Sequence, residues 1–341
     1  MPSLRVAFFG TPEFAVPTLT HLLRSSHRVV GVVTQPDRPR DRGQRVTAGP
    51  VKRVALEHQL PLLQPERMSD SAFIDAVRGW HVDLAVVAAY GKILPRTLLE
   101  LPRLGMINVH ASLLPKYRGA APIQRAVMAG ERETGITIIR LVQELDAGPM
   151  LTRLVQPIGS KQTSEDVEHQ LAVPGAVLLV GVVDDLAAGL AVETPQDPAQ
   201  ATYAPRLNKS EGLIDWTQPA QSIHDRIRGL RPWPQAFTFL DDARYIILRS
   251  RVERSVSVSA GSGDARPGEV LAASGEQLLV KCGDGAALAI LEIQPEGRRP
   301  LEIRQFLSGH HLRPRQRFTA PTIDPNSDSP TPNPDRSSSN P

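Results

Sequence analysis

The chain has 341 residues, 41% of them apolar and 22% charged, which is too much for one ordinary core and reads as two globular domains rather than a disordered or fibrous polymer. A net charge of +3 points to no particular partner, the first thirty residues lack a secretory pattern, and no run approaches the roughly 18 apolar residues of a membrane span, so no membrane partner is expected. The one cysteine, Cys282, cannot form an internal disulfide and suits a reducing, cytoplasmic setting as a small core residue.

In chain order, RVAFFG (Arg5 to Gly10) reads as a strand that ends at a turn over Thr11 and Pro12, before a helical stretch from Phe14 to Arg24. RVVGVVTQP (Arg28 to Pro36) is a β-branched strand. After it, six basic residues (Arg38, Arg40, Arg42, Arg45, Lys52 and Arg53) face two acidic ones, a local basic loop that can matter to a polyanion. Helical patterns follow over Val51–Gln59 and Asp70–Gly79, and then the buried strands LAVVAAYG (Leu84 to Gly91) and MINVHAS (Met106 to Ser112). Continuous apolar strands alternating with helices predict a mainly parallel sheet covered on both faces, a Rossmann-like α/β domain over residues 1–190. FFGTPEF has one glycine where a dinucleotide fingerprint needs three, and no P-loop occurs, which argues against dehydrogenases and NTPases.

From about Leu190 the texture changes. Residues 191–210 are rich in proline and polar side chains and read as a linker. Over residues 211–320, AFTFL, YIILRSRV, GEVLAAS, QLLVKCG and ALAILEIQPEG are short strands at even spacing, which predicts an antiparallel barrel or sandwich. Residues 321–341 carry almost no apolar side chains and are expected to be a disordered tail.

The chemistry concentrates in MINVHASLLPKYRGAAP. Asn108 and His110 are two apart near the end of a strand, so both side chains lie on one face, bordering the crevice where open parallel sheets bind ligands. An amide and an imidazole there supply an oxyanion donor and a proton handler, although such a pair by itself is usually structural. Past Pro115 the sequence predicts a turn and a helix opening near Ala120, with Pro122 in its first turn. Asp146, in the turn LDAG, is either a turn former or the carboxylate that holds an imidazolium. His310 and His311 lack further ligand-type residues at zinc spacing, so no metal is expected.

HASLLPKYRGAAPI with Asn108 upstream, followed by TGITIIRL and LDAG, closely resembles the folate-dependent formyltransferases, as do GTPEFAVP, VVTQPDRP, PVK and AAYGKILP. KSEGLIDWTQPAQSIHDRIRGLRPWPQAFT (Lys209 to Thr238) resembles the domain junction of the family's members that act on methionyl-initiator tRNA, and the likeness runs from about residue 4 to 318. The resemblance implies a Rossmann-like formyl-transfer domain followed by a smaller OB-like β-barrel, with 10-formyltetrahydrofolate as formyl donor and initiator methionyl-tRNA as partner. It assigns catalysis to Asn108, His110 and Asp146, and folate binding to Ser112, Leu113, Leu114 and Pro115 with Ala88, Tyr90, Gly91 and Ile93. It assigns the tRNA acceptor end to Arg38, Arg40, Arg42 and Arg45, with Arg42 foremost. Two departures from the family pattern stand out: Ala147 and Pro149 flank Gly148 beside Asp146, and Pro174 falls where a helix is otherwise continuous.

The resemblance predicts formylation of the methionyl α-amine for translation initiation; the protein is expected to be a monomer, and no metal is expected, because nothing beyond an amine must be made nucleophilic. The alternatives are a formyltransferase for an amino sugar or another small amine, a hydrolase that passes the formyl group to water, and a noncatalytic RNA-binding protein. The arginine loop and the KSEGLIDW junction favour tRNA, and the intact trio argues against a pure binding module.

Overall fold

A computed structural model describes residues 2–37, 39–40, 45–253, 265–313 and 315–320, which form two compact units. The first comprises residues 1–211 and 225–234, the second 212–224 and the chain from 235 onward.

The first unit is built on a seven-stranded sheet. In chain order its elements are β1 (Arg5–Gly10), α1 (Val16–Arg24), β2 (Arg28–Val33), the two-residue strands β3 (Pro39–Arg40) and β4 (Arg45–Val46), α2 (Pro50–Glu57), β5 (Leu62–Leu63), α3 (Ser71–Gly79), β6 (Leu84–Ala88) and α4 (Arg96–Leu99). Then come β7 (Met106–His110), β8 (Arg118–Gly119), α5 (Pro122–Met128), β9 (Glu133–Arg140), β10 (Met150–Pro157), α6 (Ser164–Ala188) and β11 (Tyr203–Ala204). The sheet order is β10-β9-β7-β6-β1-β2-β5, with β5 through β7 parallel and β9 and β10 antiparallel at one edge. Strand order reverses between β1 and β6, so their carboxyl ends open the crevice where such sheets take ligands.

Alternation along each strand divides two cores. Val6 and Phe8 of β1, Val86 of β6 and Ile107 and Val109 of β7 pack with α1, α2, α5 and α6. Ala7, Phe9, Val87 and Met106 pack on the other face with α3 and α4. Fully buried side chains such as Phe8 and Phe9 each contribute about 2–3 kcal/mol. Asn108 and His110 continue the face of Met106, beyond the point where the α3–α4 core ends.

Helix α6 corrects the expectation about apolar runs. It spans 25 residues and, by length and composition alone, is apolar enough to cross a membrane. Its buried side chains Val167, Leu171, Ala176, Leu179 and Val183 lie on the sheet at helical spacing, as a core helix requires. Asp184 and Asp185 close the apolar run in the sequence, and Pro174 and Gly175 interrupt its texture. Pro174 does not break the helix: its cost of about 3 kcal/mol is offset by packing on both sides and by a capping box between Thr163 and Asp166. The segment after α6, expected to be a linker on composition, lies within the first unit. Thr194 pairs with Met150 through two 2.8 Å backbone hydrogen bonds, and β11 pairs with β8. Its prolines fit an extended strap that takes its hydrogen bonds from neighbours.

The second unit contains β12 (Ala236–Leu240), β13 (Ala243–Glu253), β14 (Val270–Ser274), β15 (Gln277–Lys281), β16 (Ala287–Pro295), β17 (Leu301–Glu302) and α8 (Ile303–Gly309), while α7 (Ala220–Gly229) is divided between the units. The five predicted strands all form, in the antiparallel order β12-β13-β16-β15-β14 with β17 on β16. Residues 316–319 bond to both open edges, Thr319 to Phe239 on β12 and Phe318 and Gln316 to Gly268 and Val270 at β14, and so close the sheet as a barrel. The tail expected over 321–341 lies outside the described residues.

Candidate active site

Strand β7 carries Asn108 and His110, and the turn between β9 and β10 carries Asp146. His110 Nε2 lies 2.9 Å from the Tyr117 carbonyl. That oxygen can only accept, so Nε2 holds a proton and the neutral ring keeps its lone pair on Nδ1. Nδ1 in turn lies 3.6 Å from Asp146 Oδ2, with the two side chains 5% and 10% exposed. The same carboxylate oxygen accepts the Gly119 N–H at 2.8 Å. Asn108, half-buried, makes no side-chain hydrogen bond among the described residues. The structure thus brings His110 and Asp146 together, with Asn108 two residues before His110 on the same face of β7, and leaves Nδ1 as the ring nitrogen that can exchange a proton beside a carboxylate.

The backbone around the pair is specialised. Asp146 has φ 48° and Tyr117 φ 63°, left-handed conformations that cost about 1–2 kcal/mol each. Gly119 has φ 123°, and a Cβ there would stand 2.7 Å from the Ala204 carbonyl oxygen. The Tyr117 hydroxyl donates to Glu131 at 2.9 Å, and burial together with that carboxylate pushes its ionisation up. With Pro149 in place the turn is still anchored, the Pro149 carbonyl accepting the Arg140 N–H at 3.0 Å, and Asp146 lies 3.6 Å from His110 Nδ1.

The residues expected to bind folate fall into two groups. Ser112 is fully buried and its Oγ donates to the Lys116 carbonyl, while Leu114 is 1% exposed and its N–H donates to Thr137 Oγ1. Ser112 and Leu114 are thus committed to the fold, and the stretch Ser112 to Pro115, with its cis Leu114–Pro115 bond, leaves the half-buried Leu113 and Pro115 for a ligand. Ala88 ends β6, and the chain then turns through left-handed Ala89 and Gly91 at the crevice. The Tyr90 ring is buried in the core, and Ile93 is 82% exposed. Sequence reasoning missed the supports of this wall: Gln35 Nε2 donates to the Tyr90 carbonyl at 2.6 Å, and Gln64 Nε2 donates to the Gln35 carbonyl.

Arg38 and Arg42 lie outside the described residues. Arg40 and Arg45 sit on the paired strands β3 and β4, whose side chains are likewise not described. The base of that loop is anchored by Asp37, bonded to Lys52 and Gln64, and the Lys52 ammonium holds the Asp37 carboxyl below the usual range. No group of three or more metal-ligand residues occurs among the described residues, and His310 stacks on Phe306 at 4.3 Å. Trp216 is buried and donates to Thr238, whereas Trp233 is 48% exposed.

The family model "Formyl transferase" matches residues 4–183, and "Formyl transferase, C-terminal domain" matches residues 206–311. The methionyl-tRNA formyltransferase of Citrifermentans bemidjiense is 44% identical over 314 residues, 92% of this chain and 96% of that protein. That of Methylococcus capsulatus is 45% identical over 309 residues, 91% and 98% of the two chains. Among solved structures, the sugar 3N-formyltransferase WlaRD, determined with dTDP and 5-N-formyl-THF, superposes with a TM-score of 0.63 at 16% identity, covering 88% of this chain and all of that one. HypX from Aquifex aeolicus with tetrahydrofolic acid gives 0.60 at 17% identity, covering 90% of this chain and 47% of that one. At those identities the structures establish the fold alone. The chain belongs to the formyl transferase family, with both its N-terminal and its C-terminal domain.

Proposed function

We propose that this protein transfers the formyl group of 10-formyltetrahydrofolate to the α-amino group of methionyl-initiator tRNA, as a cytoplasmic monomer serving translation initiation. The observation that carries the reading is the His110–Asp146 pair, nearly out of solvent, with Nε2 pinned on Tyr117 and Nδ1 facing the carboxylate at 3.6 Å. The acceptor follows from relatives named methionyl-tRNA formyltransferase that align over more than nine-tenths of the chain at 44–45% identity. The structures of sugar formyltransferases are far more distant in sequence, at 16–17%.

The turn from Ala88 to Gly91 offers backbone donors and acceptors, and exposed Ile93 with half-buried Leu113 offers apolar surface. These residues would hold the folate, which supplies an activated formyl carbon when bound. Asn108 donates its amide hydrogens to the oxygen on which negative charge develops, a contribution of about 3–4 kcal/mol for one such donor. His110 receives at Nδ1 the proton that the attacking amine loses and returns it to the departing nitrogen. Asp146 stabilises the imidazolium in between and keeps the ring oriented. The arginines Arg38, Arg40, Arg42 and Arg45 contact the acceptor end of the tRNA, and the barrel contacts its backbone.

The test is to supply the purified protein with 10-formyltetrahydrofolate and methionyl-initiator tRNA and to measure formylmethionine. Transfer to the charged tRNA, lost in His110→Ala and weakened at the tRNA step alone in Arg42→Ala, supports the reading. Transfer to an amino sugar and none to tRNA refutes the acceptor and leaves the chemistry.

A further inference from the structure

We infer that Gln196 is a positioning residue of this site, holding Asp146 in place against His110 although it touches neither reacting group. The inference rests on the catalytic role given above to Asp146.

Gln196 is 8% exposed and belongs to the strap that follows α6. Its Nε2 donates to the carbonyls of Asp146 and Gly148, both at 2.8 Å. Its Oε1 accepts from Arg118 Nε at 3.1 Å and Nη2 at 2.9 Å. A guanidinium can only donate, so it fixes which way the amide faces: oxygen toward Arg118, both hydrogens toward the turn. The two carbonyls bracket Ala147, and one belongs to Asp146 itself, which sits at a left-handed φ of 48°.

Arg118 is itself nearly buried and precedes Gly119, the residue whose N–H takes the Asp146 carboxylate. Gln196 therefore joins the two backbone segments between which the carboxylate is suspended, residues 118–119 on one side and 146–148 on the other. The strap has its own attachments at Thr194 and at β11, so the glutamine amide is not what alone holds the strap. What it adds is the position of one carboxylate oxygen relative to Nδ1, where misplacement by about 1 Å is enough to cost about 10²-fold in rate.

The experiment compares full-length wild type with Gln196→Glu, Gln196→Met, Asp146→Asn and the double variant Gln196→Met/Asp146→Asn. The readouts are kcat and KM for formyl transfer from 10-formyltetrahydrofolate to methionyl-initiator tRNA across pH, and Tm. Gln196→Glu keeps the size and the partner of Arg118 but sets oxygen against the two carbonyls; Gln196→Met keeps the size and removes the hydrogen bonds. Each is expected to lower kcat about 10–100-fold with KM within about threefold, and to take on the pH profile of Asp146→Asn. In the double variant the Gln196 change should cost less than about threefold more, since both act through one carboxylate.

Wild-type kcat in either Gln196 variant, with Asp146→Asn impaired, overturns the inference and spares the reading of the site. So does a loss that multiplies fully with that of Asp146→Asn. Wild-type turnover in Asp146→Asn overturns both. Should Gln196→Met fail to fold, Gln196→Glu and its double variant with Asp146→Asn give the same comparison.

Discussion

Replacing Asp146 by Asn isolates the electrostatic part of the proposed chemistry. Asparagine has the same shape, tolerates the left-handed φ of 48°, and can still accept the Gly119 N–H, so the turn should survive. What is lost is a full negative charge 3.6 Å from Nδ1 in a pair at most 10% exposed. At an effective dielectric of about 20, a charge pair at that separation is worth about 4–5 kcal/mol, a ceiling on how far Asp146 stabilises the imidazolium during transfer. At about 1.4 kcal/mol per decade, the ceiling corresponds to a rate loss of about 10³-fold, and solvent relaxation brings the expectation to about 10²–10³-fold. Single-turnover formyl transfer with saturating 10-formyltetrahydrofolate and methionyl-initiator tRNA measures it, alongside Tm to confirm that folding is intact. A folded Asp146→Asn within about fivefold of wild type would mean that the carboxylate serves the turn and not the ring.

Three further outcomes follow from particular contacts. Gly119→Ala places a Cβ 2.7 Å from a backbone carbonyl that cannot yield, at a φ of 123°, and should cost about 2–4 kcal/mol in urea unfolding and most of the transfer activity. Asp166→Ala removes the carboxylate of the α6 capping box and should cost about 1 kcal/mol at pH 7. Because hydrogen bonding to the Thr163 N–H holds the Asp166 carboxyl below its ordinary value, that contribution is present above the usual carboxylate range and fades as pH falls below it; an undiminished difference at pH 2 would contradict this assignment. Cys282 is 1% exposed and burial pushes its thiol up to about 12, so the native protein should resist thiol reagents at pH 8 and react only on unfolding, and stability should decline as pH rises above about 9, where the unfolded thiol ionises first.

Much of this was written in local sequence. Period-two alternation placed Asn108 and His110 on one face of β7, and even spacing of short apolar runs located all five major strands of the barrel. Asp70 before α3 and Pro122 at the start of α5 mark helix beginnings by chemistry that needs no tertiary partner. These features depend on residues a few positions apart, and such neighbours remain neighbours in any compact fold.

Other features had no local signal. Helix α6 runs through Pro174 because packing on the sheet outweighs an intrinsic penalty that sequence alone counts as a stop. Residues 191–204 have the composition of a linker, yet they supply the glutamine that grips the Asp146 turn, and residues 316–319 close the barrel from beyond its last predicted strand. The approach of Asp146 to His110 spans 36 positions, and that of Gln196 to Arg118 spans 78. Periodicity and composition determine which element a residue joins and which face it occupies. Contacts between residues that far apart are decided only when the sheet order, the turns and the strap have brought the segments together, because their energies exist in no shorter piece of the chain.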